Sequence, residues 1–101
     1  MRDKLLTDLF LGFIKIHILY HAGKEKIFGQ EFQNELERHG YHVSFGTLYP
    51  IFHKLEDEKY LKSVKVNVNG KVRRYYQITP KGKRILEKAK KQAKELVDEL
   101  F

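Results

Sequence analysis

The chain has 101 residues, with Lys+Arg 20 against Asp+Glu 13 and a formal net charge of +7. That length holds one compact domain, which buries only roughly 60–65% of its unfolded surface, so a long apolar element that protrudes needs a partner. With 42% hydrophobic and 33% charged residues the chain has the apolar content to fold, and Cys 0 excludes disulfides, thiolate metal sites and cysteine catalysis.

The first segment, Asp3 to about Ala22, reads as a helix. Leu5, Leu6, Leu9, Phe10, Phe13, Ile14 and Ile16 recur at three- and four-residue steps, and Gly23 supplies a stop. Phe13 to Tyr20 also fits strand alternation. Leu11, Ile18 and Tyr20 fall outside the main stripe, so this helix is expected to be covered on more than one side. Asp8 and Lys15 interrupt it as a candidate bilayer span, and Met1-Arg2-Asp3-Lys4 does not open a secretory signal. A cytoplasmic protein without a membrane partner is expected.

A second helix is expected over Phe28 to His39, with Phe28, Phe32 and Leu36 inward and Gln30, Glu31, Glu35 and Glu37 outward. Gly40 then closes it in left-handed geometry. Ser44 or Thr47 can cap a third helix that runs to about Glu58. Its inner face is Leu48, Ile51, Phe52 and Leu55; Gly46, Tyr49, Pro50, His53, Lys54 and Asp57 lie outside. Pro50 suits a first helical turn, which puts the regular start close to Thr47. Two helices joined by a short glycine-containing turn make a helix-turn-helix candidate, although antiparallel helical pairs are ubiquitous.

Val64, Val66 and Val68 alternate with Lys65 and Asn67, and Asn69-Gly70 follows as a hairpin-turn signal. The returning strand covers Lys71 to Thr79. A two-residue turn sets Lys65 opposite Arg74, an unfavourable like-charge pair; a longer loop shifts that register. Tyr75 and Tyr76 face opposite sides, so one belongs to the core. Three helices and a basic hairpin describe a winged helix: a mainly α fold with a small β-hairpin.

Thr79 and Pro80 mark the start of a last helix. Ile85, Leu86, Ala89 and Ala93 begin an apolar stripe that Leu96, Val97 and Leu100 continue. Twenty-two residues make a rod of about 33 Å, longer than a domain with a radius of gyration near 13 Å can cover. The stripe, together with Leu5, Leu9 and Phe13 of the first helix, argues for a symmetric homodimer. The other arrangement folds the helix back on its own domain. The expected division is residues 1–79 for DNA binding and 80–101 for dimerisation.

Twelve Lys/Arg and one acid, Glu87, lie between Lys62 and Lys94, a net +11; the other eight basic and twelve acidic residues give −4. Such polarity suits a polyanion, although a lysine-rich solvated surface has the same composition. Lys81, Lys83 and Arg84 at the start of the last helix, with Asp98 and Glu99 at its end, oppose its dipole. One explanation is that the basic start joins the wing in a single polyanion-binding surface.

The stretch Gly46-Thr47-Leu48-Tyr49-Pro50, continued by Leu55-Glu56, resembles the recognition-helix signature of PadR-type transcriptional regulators. A second block follows at Gly70, Arg73, Arg74, Tyr75, Tyr76, Ile78, Thr79 and Gly82. The resemblance spans nearly the whole chain and is to the compact subgroup of the family. It implies a winged helix-turn-helix domain, a C-terminal dimerisation helix, and repression at a palindromic operator. Lys59 stands where members often carry glycine, and Trp 0 removes the tryptophan with which some members line a ligand pore.

On that reading Ser44, Thr47, Tyr49, His53 and Lys54 meet DNA from the third helix. Tyr49 and Lys54 are assigned to phosphates, and Thr47 and His53 to base edges. Tyr49 could instead pack along the core edge. Lys71, Arg73 and Arg74 of the wing contact phosphate or the minor groove. A small-molecule effector, if one acts, is expected at the dimer interface. The remaining alternatives are a winged-helix protein–protein or RNA module and an enzyme with an unrecognised site. No phosphate-cradling glycine loop or catalytic constellation supports an enzyme. His17 and His21 have the i, i+4 spacing of metal ligands, and His39 and His42 flank the turn. No third ligand is specified nearby, so the histidines are read as structural, with no metal and no cofactor.

Overall fold

A computed structural model describes residues 3–101. Helix α1 (Lys4–Lys24) starts where the Asp3 carboxylate accepts the backbone N–H groups of Leu5 and Leu6. It continues through Gly23, so the expected stop at that residue is replaced by an end at Lys24. Only one side of α1 enters the core, through Ile14, Ile18, Leu19 and Ala22, while Leu5, Leu6, Leu9 and Phe13 remain exposed. By length and composition α1 could cross a membrane despite Asp8 and Lys15. Here its inner face is instead the spine of the fold.

Helix α2 (Gly29–Arg38) and helix α3 (Phe45–Asp57) pack over that spine through Phe32, Leu36, Leu48, Phe52 and Leu55, all buried. Both ends of the α2–α3 connection follow from side-chain chemistry. Gly40, at φ +86°, lets Tyr41 N–H reach back to the Leu36 carbonyl. Ser44 Oγ accepts the Thr47 N–H and caps α3, which begins at Phe45 rather than near Thr47. Pro50 therefore lies in the second turn and has no N–H to give the Gly46 carbonyl.

Strand β1 (Leu61–Val68) and strand β2 (Lys71–Ile78) form the antiparallel wing. Asn69 (φ 51°) and Gly70 (φ 81°) make the two-residue turn, with both backbones left-handed and Gly70 N–H donated to Asn67 Oδ1. The register is thereby set, and Lys65 does stand opposite Arg74. Ile27 adds a one-residue bridge to Tyr76 at the outer edge of β2. Tyr76 is the core tyrosine of its pair; Tyr75 meets the edge of Phe28 instead.

Helix α4 (Pro80–Leu100) starts at the Thr79 cap. Gly82 and Leu86 are buried against the rest of the chain, whereas residues 90–100 are exposed. Leu86, 9% exposed, belongs to the core of the chain itself. It is thereby removed from the expected dimer face. The first two turns of α4 fold back on the domain and the remainder overhangs it.

The end of α3 carries an avoidable strain. Tyr60 N–H reaches the Leu55 carbonyl, as Tyr41 does at the end of α2, but the left-handed residue is Lys59 at φ 70°. Thr79 Oγ1 donates to the Lys59 carbonyl and helps hold it there. Lys59→Gly is expected to raise stability by about 0.5–1 kcal/mol, after the larger unfolded-state entropy of glycine is deducted. Urea unfolding checks it: the midpoint should rise with an unchanged slope.

Candidate nucleic-acid interface

The inner strip of α3 is fixed by Leu48, Phe52 and Leu55. At 100° per residue the opposite crest falls on Gly46, Pro50 and Asp57, all exposed, the first two without polar side-chain groups and the third at the C-terminal end of the helix. Thr47 and Lys54 form one exposed flank. The other flank, Tyr49 and His53, turns toward the wing.

Between that flank and the hairpin lies a groove of about 520 Å³, walled by Phe45 and Tyr49 on one side and by Lys65, Val72, Arg73 and Arg74 on the other. Tyr49, 48% exposed, stacks between Phe45 (5.8 Å between centroids) and His53 (4.3 Å). It forms the groove wall rather than sinking into the core. His53 is half-buried, and its Nε2 is covered and has no hydrogen-bond partner among the described residues. That nitrogen does not face outward, so the expected base-edge contact cannot use it as it stands. Ser44 Oγ is occupied by the cap and lies 3.2 Å from Thr47 Oγ1.

The three expected wing residues differ in their environments. Lys71 is exposed at the tip. Arg73 lies over the Phe28 ring at 4.6 Å. Arg74 donates from Nη1 to Ser63 Oγ at 2.8 Å, and Ser63 in turn donates to Glu56 Oε2 at 2.6 Å. This relay ties the wing to α3 and links the Arg74 guanidinium, through the Ser63 hydroxyl, to the Glu56 carboxylate. Lys65 was missed as a site residue: a two-residue turn sets it opposite Arg74, but the sequence alone left the register open to a longer loop, and the structure fixes it.

Lys81 does not join this groove. Its Nζ donates to the Glu58 carbonyl at 2.8 Å and lies over the Tyr60 ring, at the negative end of α3. The charge that opposes the α4 dipole thus serves the α3 dipole. Lys83 lines a separate hollow with Tyr20, Gly23 and Ile78.

A second cluster lies where α1 faces α2. Glu35, expected outward, has a side chain only 19% exposed and approaches His39 Nε2 at 2.9 Å and His21 Nε2 at 3.9 Å. Arg38 holds its other oxygen. Desolvation lowers the pKa of His17, helped by His21 and His39; desolvation also lowers that of His21, with Lys24, His39 and Arg38 adding to it and Glu25 opposing. The expectation that no third metal-type ligand stands nearby is thus corrected: ligand atoms of His17, Glu35 and His39 lie within 4.8 Å of one another.

Comparison with known proteins agrees with this architecture. A transcriptional regulator of Mycobacterium tuberculosis, Rv3488, is 41% identical over 88 residues, which are 87% of this chain and 82% of that protein. A PadR-like transcription factor from Bacteroides fragilis superposes with a TM-score of 0.84 at 26% identity, over 97% of this chain and 96% of the other. A PadR family regulator from Eggerthella lenta gives 0.84 at 29% identity, over 95% and 85%. Residues 18–88, from the middle of α1 through the wing to Lys88 of α4, match the transcriptional regulator PadR-like family, and the chain belongs to it.

Proposed function

We propose that this PadR-like regulator is a cytoplasmic, homodimeric repressor that binds an inverted-repeat operator in double-stranded DNA. The observation that carries this reading is the basic groove between α3 and the wing, which puts Lys65, Arg73 and Arg74 beside an exposed helix N-terminus. On this proposal the glycine–proline crest lets α3 sit deep in the major groove. Thr47 reads bases from one flank; Lys54, Tyr49 and the Ser44 end of the helix hold phosphates. His53 supports Tyr49, and it reaches a base only if its ring turns. Lys71 and Arg73 grip phosphate or the minor groove, while Arg74 both binds and fixes the wing through Ser63.

The dimer face of the proposal comprises Leu5, Leu9 and Phe13 of α1 with Ile85, Ala89, Ala93, Leu96, Val97 and Leu100 of α4. Two winged domains joined there would address half-sites about 34–36 Å apart. An effector at that interface would act by changing the spacing or angle of the two domains.

Selection of bound fragments from random duplex DNA yields the operator. On that sequence Lys71→Ala with Arg73→Ala should weaken binding evenly across duplexes and reduce the salt slope by about 2. Thr47→Ala should instead lower the ratio of operator to random affinity by roughly 10-fold. Equal losses on both duplexes would make Thr47 a positioning residue only. Absence of any duplex preference over RNA would favour the protein–protein or RNA module.

A further inference from the structure

We propose that His17, Glu35 and His39 hold one divalent transition-metal ion of the zinc type, which clamps α1 to the C-terminal end of α2. Each side contributes an i, i+4 pair: His17 and His21 on α1, and Glu35 of α2 with His39 at its C-cap. Three ligand atoms already lie within 4.8 Å of one another. Bonds of about 2.0–2.2 Å in a tetrahedral shell place donors roughly 3.3–3.6 Å apart, so the cluster must close by about an ångström. His39, half-exposed at the end of its helix, has the freedom to do this.

The carboxylate is the residue that needs explaining. Glu35 is largely buried although it is not needed for the core. Arg38 engages one of its oxygens and leaves the other aimed at His39 and His21. This is how a ligating carboxylate is oriented from behind, and Arg38 is also the charge an arriving cation must tolerate. Two imidazoles and one carboxylate suit a borderline ion and fall short of the all-oxygen shell that calcium or magnesium requires. A fourth position opens toward a hollow of about 480 Å³ that His17 and His39 line with Phe13, Tyr20 and Tyr41, where water can complete the shell. Lys90 of α4 also lines that hollow.

Because α2 runs through the Gly40 turn into α3, the ion would also fix where α3 stands relative to α1. Binding itself does not depend on the DNA reading and is measured without DNA.

The test is calorimetric titration of zinc chloride into the full chain, purified without a metal-affinity tag and stripped with chelator. Cobalt(II) absorption in the visible range reports the coordination geometry. One ion per chain is expected, with a zinc-dependent rise in melting temperature. His39→Ala and Glu35→Gln should each weaken binding at least 10-fold and abolish that rise, with an unchanged circular dichroism spectrum. His42→Ala, exposed in the turn and outside the cluster, should bind as the parent does. Absence of saturable binding, or equal affinity in both cluster variants and the parent, overturns the proposal.

Discussion

Gly82→Ala is expected to lower the melting temperature by roughly 8–16 °C, measured at equal protein concentration. A Cβ at this position would stand 2.3 Å from the Tyr60 carbonyl oxygen and 2.7 Å from Ile78 Cγ1. Neither neighbour is free to withdraw. The Tyr60 carbonyl already accepts the Thr79 N–H at 3.0 Å, and Tyr60 N–H closes the end of α3 onto Leu55. Ile78 is buried in the core. Relief therefore requires α4 to lift off the turn that follows α3, which strains the Thr79 cap and the Leu86 contact together. Overpacking of this kind costs about 1–3 kcal/mol, occasionally more, and a rigid backbone obstacle places it at the upper end. The better helix propensity of alanine returns about 1 kcal/mol at most. A variant that melts within a few degrees of the parent would show that this junction yields at little cost.

The same junction marks how far the sequence could be read. Thr79-Pro80 and Asn69-Gly70 were legible because each is a local device: the cap bonds a residue three positions on, and the turn needs two adjacent left-handed backbones. The Lys65–Arg74 pairing was one of the registers these signals left open, and the left-handed pair Asn69-Gly70 selects it. Pro50 misled because its usual place is the first turn, whereas Ser44 had already started the helix at Phe45. Glu35, Arg74 and Lys81 were read as surface charges. Their partners, His39 and His21 on one side, Ser63 and Glu56 on another, the Glu58 carbonyl on the third, are supplied by tertiary packing. Leu86 failed for a related reason. An apolar stripe shows which face of a helix is covered but not where the domain's own cover ends and a second molecule's must begin.

That boundary makes the strongest test of assembly. The double substitution Leu96→Glu with Leu100→Glu is expected to raise the dissociation constant of the proposed dimer at least about 1000-fold. Both side chains lie beyond the turns of α4 that reach the core and are more than half exposed, at 54% and 64%. Folding of the protomer should therefore survive, and the circular dichroism spectrum should not change. Leu5, Leu6, Leu9 and Phe13 present a second apolar band on α1, and a groove of about 570 Å³ between the helices joins it to Ala89, Ala93 and Leu96. Seven large apolar side chains, counting Val97 and the two leucines, expose roughly 100 Å² each, so two such faces meet the size of a standard interface of about 800 Å² per partner. In the proposed dimer two-fold symmetry would place each substituted residue in the interface twice, so four carboxylates would lose water in every dimer formed. Monomers should keep their affinity for a half-site and lose about 10²–10⁴ on the full inverted repeat, because the second contact no longer benefits from its tether. Sedimentation and DNA titration on full and half operators separate the outcomes. A variant that still sediments as a dimer would move the interface elsewhere, and one that is monomeric yet binds the full operator as tightly as the parent would remove the dimer from DNA recognition.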